Sequence, residues 1–265
     1  MIDYFRTRLK QNKLYTVFLC VAALFCVTMA VYFAVNGMFR NMALALLCCL
    51  IFVVGYPLGE YITKLRFSPV FAALLALLVI GGMILGPGLD FYFKFPQWDT
   101  VLHTSSGLMF TCLGYAFADK FVADNAKHRK ALCLCVGVSF SLAIALLWEM
   151  IEYAGTTFFR TDMQEDSVIY NIKSYLLAGS HNDIVEINDI KQTIINYGDG
   201  QTLVIDGYLD VGLSDTLNDM LVCLVGSIVL PVVFAVSKLF GKTPDKFFVP
   251  QSFENSQNDS QAQRK

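Results

Sequence analysis

The sequence is poor in charge and lacks the signatures of the common soluble enzymes. Only 16% of its 265 residues are charged and the formal net charge is −2, so the composition gives no support for nucleic-acid binding. It contains no internal repeat, no glycine-rich phosphate loop, no Gly-x-Ser-x-Gly nucleophile elbow and no His-Glu-x-x-His zinc motif. The function therefore has to be inferred from the polar and charged residues that interrupt its apolar stretches.

Cysteine is missing from the one long polar segment, residues 154–214, which is therefore held without disulfides. All eight cysteines fall within apolar stretches, where we interpret them as small packing residues. The Cys133-x-Cys135 pair has no partner ligands nearby in the sequence, so the pattern does not indicate a thiolate metal site.

Long apolar blocks dominate what remains, since 55% of the residues are hydrophobic. Each block approaches the ~20 residues that a helix needs to cross a bilayer. The fold class expected is an all-α polytopic membrane protein with about six transmembrane helices. The predicted spans are residues 14–35, 42–62, 70–89, 101–122, 131–153 and 216–240.

The positive charges predict the orientation. With the amino terminus inside, the inner segments hold fifteen Lys and Arg and the outer segments hold five. This bias predicts a multi-pass protein of the bacterial plasma membrane with both termini cytoplasmic. The first span, which follows four basic residues, is interpreted as an uncleaved anchor.

Residues 1–250 are predicted to form a single transmembrane domain carrying an extracytoplasmic insertion, residues 154–214. Apolar spacing favours a short helix within residues 166–178, and β-branched runs around Gly198-Asp199-Gly200 favour a β-hairpin. The tail, residues 251–265, is rich in Gln, Asn and Ser and is predicted to be disordered in the cytoplasm.

Three pairs of ionisable residues lie at those span ends that the topology places outside. Within each pair the spacing is three or four residues, which puts both side chains on one stripe of a helix. The pairs are Asp99 and His103, Glu149 and Glu152, and Asp215 and Asp219.

Simple structural roles explain some members of these pairs. Asp99, and either Ser214 or Asp215, fit as helix caps. Glu149 opposes the dipole at a helix carboxyl end, and Asp219 lies a turn further in, where an acid at the bilayer centre costs ~3 kcal/mol. Three such pairs at one membrane face predict a shared site.

In this hypothesis His103, Glu149 and Asp219 are the catalytic residues and the candidate metal ligands. Asp99 orients His103, while Glu152 and Asp215 complete the shell. The paired acids suit either general acid–base catalysis or binding of a divalent metal such as Mg²⁺, Mn²⁺, Ca²⁺ or Zn²⁺, and the sequence does not choose among these. No other cofactor is indicated.

The motifs resemble a family of bacterial inner-membrane proteins of unknown function typified by YjdF. The matching residues are Asp99, His103 and Gly107, Glu149 and Glu152, and Asp215, Thr216, Asp219 and Met220 with Gly226 further on. The likeness covers residues 95–226. More distantly the pattern is similar to VanZ-like proteins, which are associated with glycopeptide-antibiotic tolerance, and that likeness implies a role at the cell envelope.

The favoured function is a metal-assisted enzyme acting on an envelope or lipid-linked substrate, with membrane lipids as the surrounding partners. The first alternative is a cation, proton or solute transporter, which requires polar residues continuing inward. Below His103 the sequence offers Ser105, Ser106, Thr111, Ser139 and Ser141. The second alternative, an envelope scaffold, explains the insertion but not Glu149 and Asp219.

Overall fold

The computed structural model of the protein describes residues 2–123, 125–159, 161–241 and 243–253 and is mostly helical. Its described residues divide into two compact units. One comprises those within Met1–Ala145 and Leu221–Lys265, and the other is Leu146–Met220. The second unit thus includes two helix ends as well as the insertion that was predicted at 154–214.

The helices follow the predicted apolar blocks. They are α1 Ile2–Gln11, α2 Lys13–Val35, α3 Phe39–Thr63, α4 Pro69–Leu89, α5 Phe91–Lys94, α6 Trp98–Phe121, α7 Arg129–Phe158, α8 Tyr175–Ala178, α9 Leu213–Leu239 and α10 Asp245–Phe248. Helices α3 and α4 each contain a π-helical segment, at Ile51–Gly55 and Gly81–Leu85.

Five of these helices are long and apolar enough to cross a membrane, namely α2, α3, α4, α7 and α9. The chain is therefore a multi-pass membrane protein. Helix α6 has a suitable length of 24 residues but is not among the five. Its first turns carry Asp99, His103 and several Thr and Ser residues, which lower its apolarity.

Helix α6 packs against α7 and α9 through glycines. A Cβ on Gly137 of α7 would lie 2.7 Å from the Thr111 carbonyl oxygen of α6. A Cβ on Gly226 of α9 would overlap the Thr104 carbonyl oxygen. These positions accept only glycine because the helix backbones touch, which is the usual way that membrane helices approach closely.

The three helices meet at a junction formed by Gly107, Ser141 and Cys223. The Ser141 hydroxyl donates to the Gly107 carbonyl at 3.0 Å and lies 3.9 Å from Cys223 Sγ. The Tyr115 and Phe234 rings, 5.2 Å apart, continue the α6–α9 contact. The order of these contacts makes α6 parallel to α9 and antiparallel to α7.

Near the carboxyl-terminal end of α6, the amino-terminal helix α1 covers Glu60, whose side chain is fully buried. Its carboxylate accepts hydrogen bonds from the Tyr4 hydroxyl at 3.0 Å, the Arg8 guanidinium at 3.3 and 3.4 Å and the Phe67 backbone N–H at 2.8 Å. Burial and the charge of Glu60 raise the pKa of Tyr4, which keeps its hydroxyl a donor. Glu60 therefore anchors α1.

The carboxyl-terminal segment packs at the same end. Strand β8 (Gln251–Ser252) pairs antiparallel with β1 (Leu65–Arg66), and the Phe253 ring stacks on Tyr4 with centroids 5.1 Å apart. The disordered tail was predicted to start at 251, but Gln251 and Ser252 are in a strand because they find a backbone partner in a distant loop. The rest of that tail, residues 254–265, lies outside the described residues.

The insertion consists of short strands that pair two by two. They are β2 Ser167–Ile169, β3 Ile172–Ser174, β4 Val185–Ile187, β5 Thr193–Tyr197, β6 Gln201–Ile205 and β7 Tyr208–Asp210. The antiparallel pairs are β2 with β7, β3 with β4, and β5 with β6. The short helix predicted within 166–178 is present as the single turn α8, while the earlier part of that range contains the strands β2 and β3.

The insertion is attached to the end of α7 by a small polar contact. The Thr156 hydroxyl accepts the backbone N–H groups of Met163 and Gln164 at 3.1 and 3.2 Å. The Gln164 side-chain amide in turn donates to the Thr216 hydroxyl of α9 at 2.8 Å. These bonds hold the outer turns of α7 and α9 in one unit.

Candidate functional site

Helix α7 turns two acids inward near its carboxyl end. Glu149 and Glu152 are only 4% and 7% exposed, whereas Leu147, Met150 and Ile151 around them are largely exposed. The Trp148 indole N–H donates to Glu152 Oε1 at 2.7 Å. The i and i+3 spacing thus puts both carboxylates on the buried stripe of a helix whose other side is apolar.

Helix α9 brings in a third buried acid, Asp219, which is 4% exposed. The side-chain cap of this helix is Asp210, instead of Ser214 or Asp215, because its carboxylate accepts the backbone N–H groups of Leu213 at 3.2 Å and Ser214 at 2.8 Å. It also accepts the Ser214 hydroxyl. Asp215, half-buried, instead accepts the Glu165 backbone N–H at 3.0 Å.

These acids form a cluster within the unit Leu146–Met220. One carboxylate oxygen each from Glu149, Glu152 and Asp219 lie within 4.8 Å of one another, and an oxygen of Asp215 lies within 4.8 Å of one of Asp219. Two oxygen donors on opposite sides of a Ca²⁺ ion are about 4.6 to 5.2 Å apart, and on opposite sides of Mg²⁺ about 4.0 to 4.2 Å. The donor set therefore fits one hard or borderline divalent cation.

Ionised carboxylates in this cluster repel one another. Two of them 4.8 Å apart repel by about 3.5 kcal/mol at an effective dielectric constant of 20. A divalent cation among them would replace this repulsion by attraction to each carboxylate.

In the other unit, α6 carries a carboxylate–imidazole pair. Asp99 Oδ1 lies 3.6 Å from His103 Nε2, and His103 is 8% exposed. The preceding residue, Trp98, is fixed by a 3.3 Å hydrogen bond from its indole N–H to the Gly81 carbonyl. The i and i+4 spacing thus places the carboxylate beside the imidazole, at a distance longer than a direct hydrogen bond.

The six residues predicted as site members thus fall into two groups. Glu149, Glu152, Asp215 and Asp219 come together in one unit, and Asp99 and His103 come together in the other. Sequence reasoning missed Thr156 and Gln164, which connect the outer turns of α7 and α9. A signal existed for Thr156, since it follows Glu152 by four residues on the same helical stripe.

The hydroxyls near the site point to backbone carbonyls. Ser106 donates to the His103 carbonyl at 2.8 Å, and Thr111 to the Gly107 carbonyl at 2.8 Å. Their arrangement is that of helix residues bonding to the preceding turn. Neither forms a Ser–His couple of the kind that activates a nucleophile.

The comparison with protein families assigns residues 15–239 to a family described as "Predicted membrane protein (DUF2238)". This membership agrees with the predicted YjdF-like family of unknown function, and it does not confirm the weaker likeness to VanZ-like proteins. No curated protein and no solved structure matches the chain.

Proposed function

The chain belongs to the DUF2238 family of predicted membrane proteins, and we propose that it binds a divalent cation through Glu149, Glu152, Asp219 and His103. We further propose that it uses this site to hydrolyse or exchange a group on an envelope or lipid-linked substrate. The observation that carries the proposal is the convergence of three buried carboxylates within 4.8 Å at the ends of two membrane helices.

His103 is included in this proposal because the sequence places three pairs of ionisable residues, each spaced three or four residues apart, at the helix ends that the predicted topology puts outside. His103 is only 8% exposed and its Nε2 atom lies 3.6 Å from Asp99 Oδ1. A buried imidazole beside a carboxylate is a common metal ligand.

We propose that α6 is a sixth membrane span. Residues 2–11 and 251–253 contact each other through Tyr4 and Phe253, which supports an even number of crossings between them. Five helices qualify by apolarity, and α6 supplies the missing crossing because ten of its residues are buried against other helices instead of facing lipid. From the charge bias we further propose that the termini are cytoplasmic and the acids outside, in a bacterial plasma membrane.

Enzymatic chemistry at the outer face is favoured over transport. A relay through the membrane needs side chains that can exchange protons or ligands along the path. Below His103, the hydroxyls of Ser106, Thr111 and Ser141 are engaged by backbone carbonyls, and the helix backbones touch at Gly107 and Gly137. The α6–α7–α9 interface is thus tightly closed beneath the acids.

The residues have distinct roles in this proposal. Glu149 and Asp219 hold the cation, Glu152 is kept in place by the Trp148 indole, and Asp99 orients His103. When bound, the cation supplies Lewis-acid polarisation of the substrate and activation of a water. Asp215, the acid of the cluster outside this ligand set, would accept a proton released at the site.

The fluorescence of Trp148 provides the test, because this indole bonds directly to Glu152. Trp98 is the only other tryptophan, so Trp98→Phe leaves one reporter. We expect Mg²⁺, Ca²⁺, Mn²⁺ or Zn²⁺ to change its emission saturably in purified protein freed of metal with a chelator. Asp219→Asn and Glu149→Gln should weaken that binding by about 100-fold or more, since even indirect partners of a metal cost 10- to 100-fold.

The matched control is Glu186→Gln, which removes an exposed carboxylate of the same unit that pairs with Lys173 at 2.9 Å. It should leave the titration unchanged. If no divalent cation alters the emission, or if Asp219→Asn binds as tightly as the parent, the proposed function is wrong.

A further inference from the structure

A short segment of the insertion, residues 163–165, is bonded to both of the helices that carry the buried acids. On the side of α7, the Thr156 hydroxyl accepts the backbone N–H groups of Met163 and Gln164 at 3.1 and 3.2 Å. A threonine hydroxyl has two acceptor lone pairs, and these two bonds occupy both. We call residues 163–165 the clamp.

On the side of α9 the clamp makes two more hydrogen bonds. The Gln164 side-chain amide donates to the Thr216 hydroxyl at 2.8 Å, and the Glu165 backbone N–H donates to Asp215 Oδ2 at 3.0 Å. The clamp also lies directly against the start of this helix, because a Cβ on Gly212 would be only 2.6 Å from the Cβ of Gln164. Gln164 therefore connects α7 with α9 through its backbone on one side and its side chain on the other.

The clamp holds the two helices just outside the acids. Thr156 follows Glu152 by four residues on α7, and Thr216 precedes Asp219 by three residues on α9. These spacings put each hydroxyl on the same helical stripe as an acid and about one turn, or about 6 Å, further out. Glu152 and Asp219 are themselves 7% and 4% exposed. The clamp thus fixes the separation of α7 and α9 beside the carboxylates.

That separation matters for a cation held between the two helices. Oxygen donors on opposite sides of Ca²⁺ are about 4.6 to 5.2 Å apart, whereas those on opposite sides of Mg²⁺ are about 4.0 to 4.2 Å apart. A fixed distance between α7 and α9 therefore fits one of these ions better than the other. Helices that are free to move could adjust to both, because selectivity between Ca²⁺ and Mg²⁺ depends on the size and the flexibility of a site.

We infer that Thr156 and Gln164 are positioning residues that make the cation site discriminate between ions of different radius. They act through the separation of α7 and α9 and do not themselves bind the ion. The inference rests on the proposed function for the existence of the cation site, and it adds the feature of the fold that determines which ion is preferred.

Separate titrations with Ca²⁺ and Mg²⁺ test the inference. The protein is the purified full chain with Trp98→Phe, so that Trp148, which bonds to Glu152, reports binding. We expect the parent to bind one ion at least about tenfold more tightly than the other. In Thr156→Val and in Gln164→Ala the ratio of the two dissociation constants should move toward one by about tenfold, the scale at which indirect partners of a metal act.

Two further variants serve as controls. Thr156→Ser keeps the hydroxyl that accepts both backbone N–H groups and should keep the ratio of the parent. Gln192→Ala removes an exposed glutamine of the same unit and should also leave the ratio unchanged. A role in stability alone would weaken the binding of both ions by the same factor, so it would not change the ratio.

The outcomes separate this inference from the proposed function. A parent that binds Ca²⁺ and Mg²⁺ equally well, or a ratio in Thr156→Val and Gln164→Ala equal to that of the parent, would overturn the inference and leave the cation site standing. A parent whose emission responds to no divalent cation would overturn the proposed function and this inference with it.

Discussion

Replacing Glu60 by Gln should destabilise the protein strongly. The carboxylate is fully buried and accepts hydrogen bonds from Tyr4, Arg8 and the Phe67 N–H. Glutamine keeps the shape and accepts one or two of these bonds, but it leaves the Arg8 guanidinium, only 11% exposed, without its counterion.

The magnitude follows from this geometry. At 3.3 Å and an effective dielectric constant of 20, the Arg8–Glu60 attraction is about 5 kcal/mol, and breaking a buried pair on one side costs about 3 to 5 kcal/mol. For a chain of this size 1 kcal/mol corresponds to about 2 to 4 °C, so we expect the unfolding temperature to fall by about 6 to 20 °C.

The protein carries its own reporters for this measurement. Cys26, Cys48, Cys112, Cys133 and Cys223 are buried, so a thiol-reactive dye detects their exposure as the protein unfolds. The control is Asp90→Asn, which breaks an exposed pair with Lys94 at 4.0 Å and should change stability by less than about 0.5 kcal/mol. A shift below about 2 °C for Glu60→Gln would refute the view that the pair anchors α1.

Three further predictions concern packing, capping and topology. Gly226→Val should prevent close packing of α6 and α9 and abolish accumulation of folded protein in the membrane. Gly82→Ala should be tolerated, because a Cβ there meets nothing closer than 4.0 Å. Blotting of membranes compares the abundance of the two variants. Asp210→Ala should cost about 1 kcal/mol as a lost cap. Hydrogen bonds, chiefly from Ser214, lower the pKa of Asp210 in the folded protein. The stabilisation by Asp210 is therefore present above the unfolded pKa of ~3.9 and is lost as the pH falls through the folded pKa. Thermal unfolding at several pH values should detect this loss in the parent protein and not in Asp210→Ala. Membrane-impermeant maleimide should label Asp189→Cys but not Lys127→Cys in intact cells, and the reverse pattern would contradict the proposed orientation.

Much of the membrane architecture could be predicted because it depends on local composition. Apolar blocks of about 20 residues require no knowledge of partners, and the helices of the structure overlap every predicted span. The weakest case is α6, which is not among the five helices that qualify by apolarity and which carries buried polar residues such as His103 and Thr111. A scale of apolarity does not recognise a helix of this composition as a span.

Features that depend on distant partners could not be predicted. In the sequence Glu60 is an isolated acid near the end of an apolar stretch, yet its hydrogen-bond donors Tyr4 and Arg8 lie more than fifty residues earlier in the chain. Gln251 and Ser252 read as part of a disordered tail by composition, yet they pair with Leu65 and Arg66. Local propensity is overridden wherever a long-range backbone partner is available.

The candidate site could be predicted in part, because some of its features depend on local spacing and others on distant partners. Spacing of three or four residues indicated correctly that Glu149 and Glu152 share a stripe, and helix periodicity suffices for that. The 4.8 Å approach of their carboxylates to that of Asp219 depends on how α7 and α9 pack, which the glycines suggest only in retrospect. Asp210 caps α9 because β7 ends at this residue. The sequence gives little indication of where a strand ends in an insertion of this kind.

The most direct measurement of the central claim is pulsed electron paramagnetic resonance of Mn²⁺ bound to the purified protein. One ion shared by the acids of α7 and α9 and by His103 of α6 should show nitrogen modulation from a coordinated imidazole. That modulation should vanish in His103→Gln, which should still bind Mn²⁺ but with lower affinity than the parent protein. Asp219→Asn should lose the bound ion altogether. Bound Mn²⁺ without nitrogen modulation, or full occupancy in Asp219→Asn, would contradict a shared site.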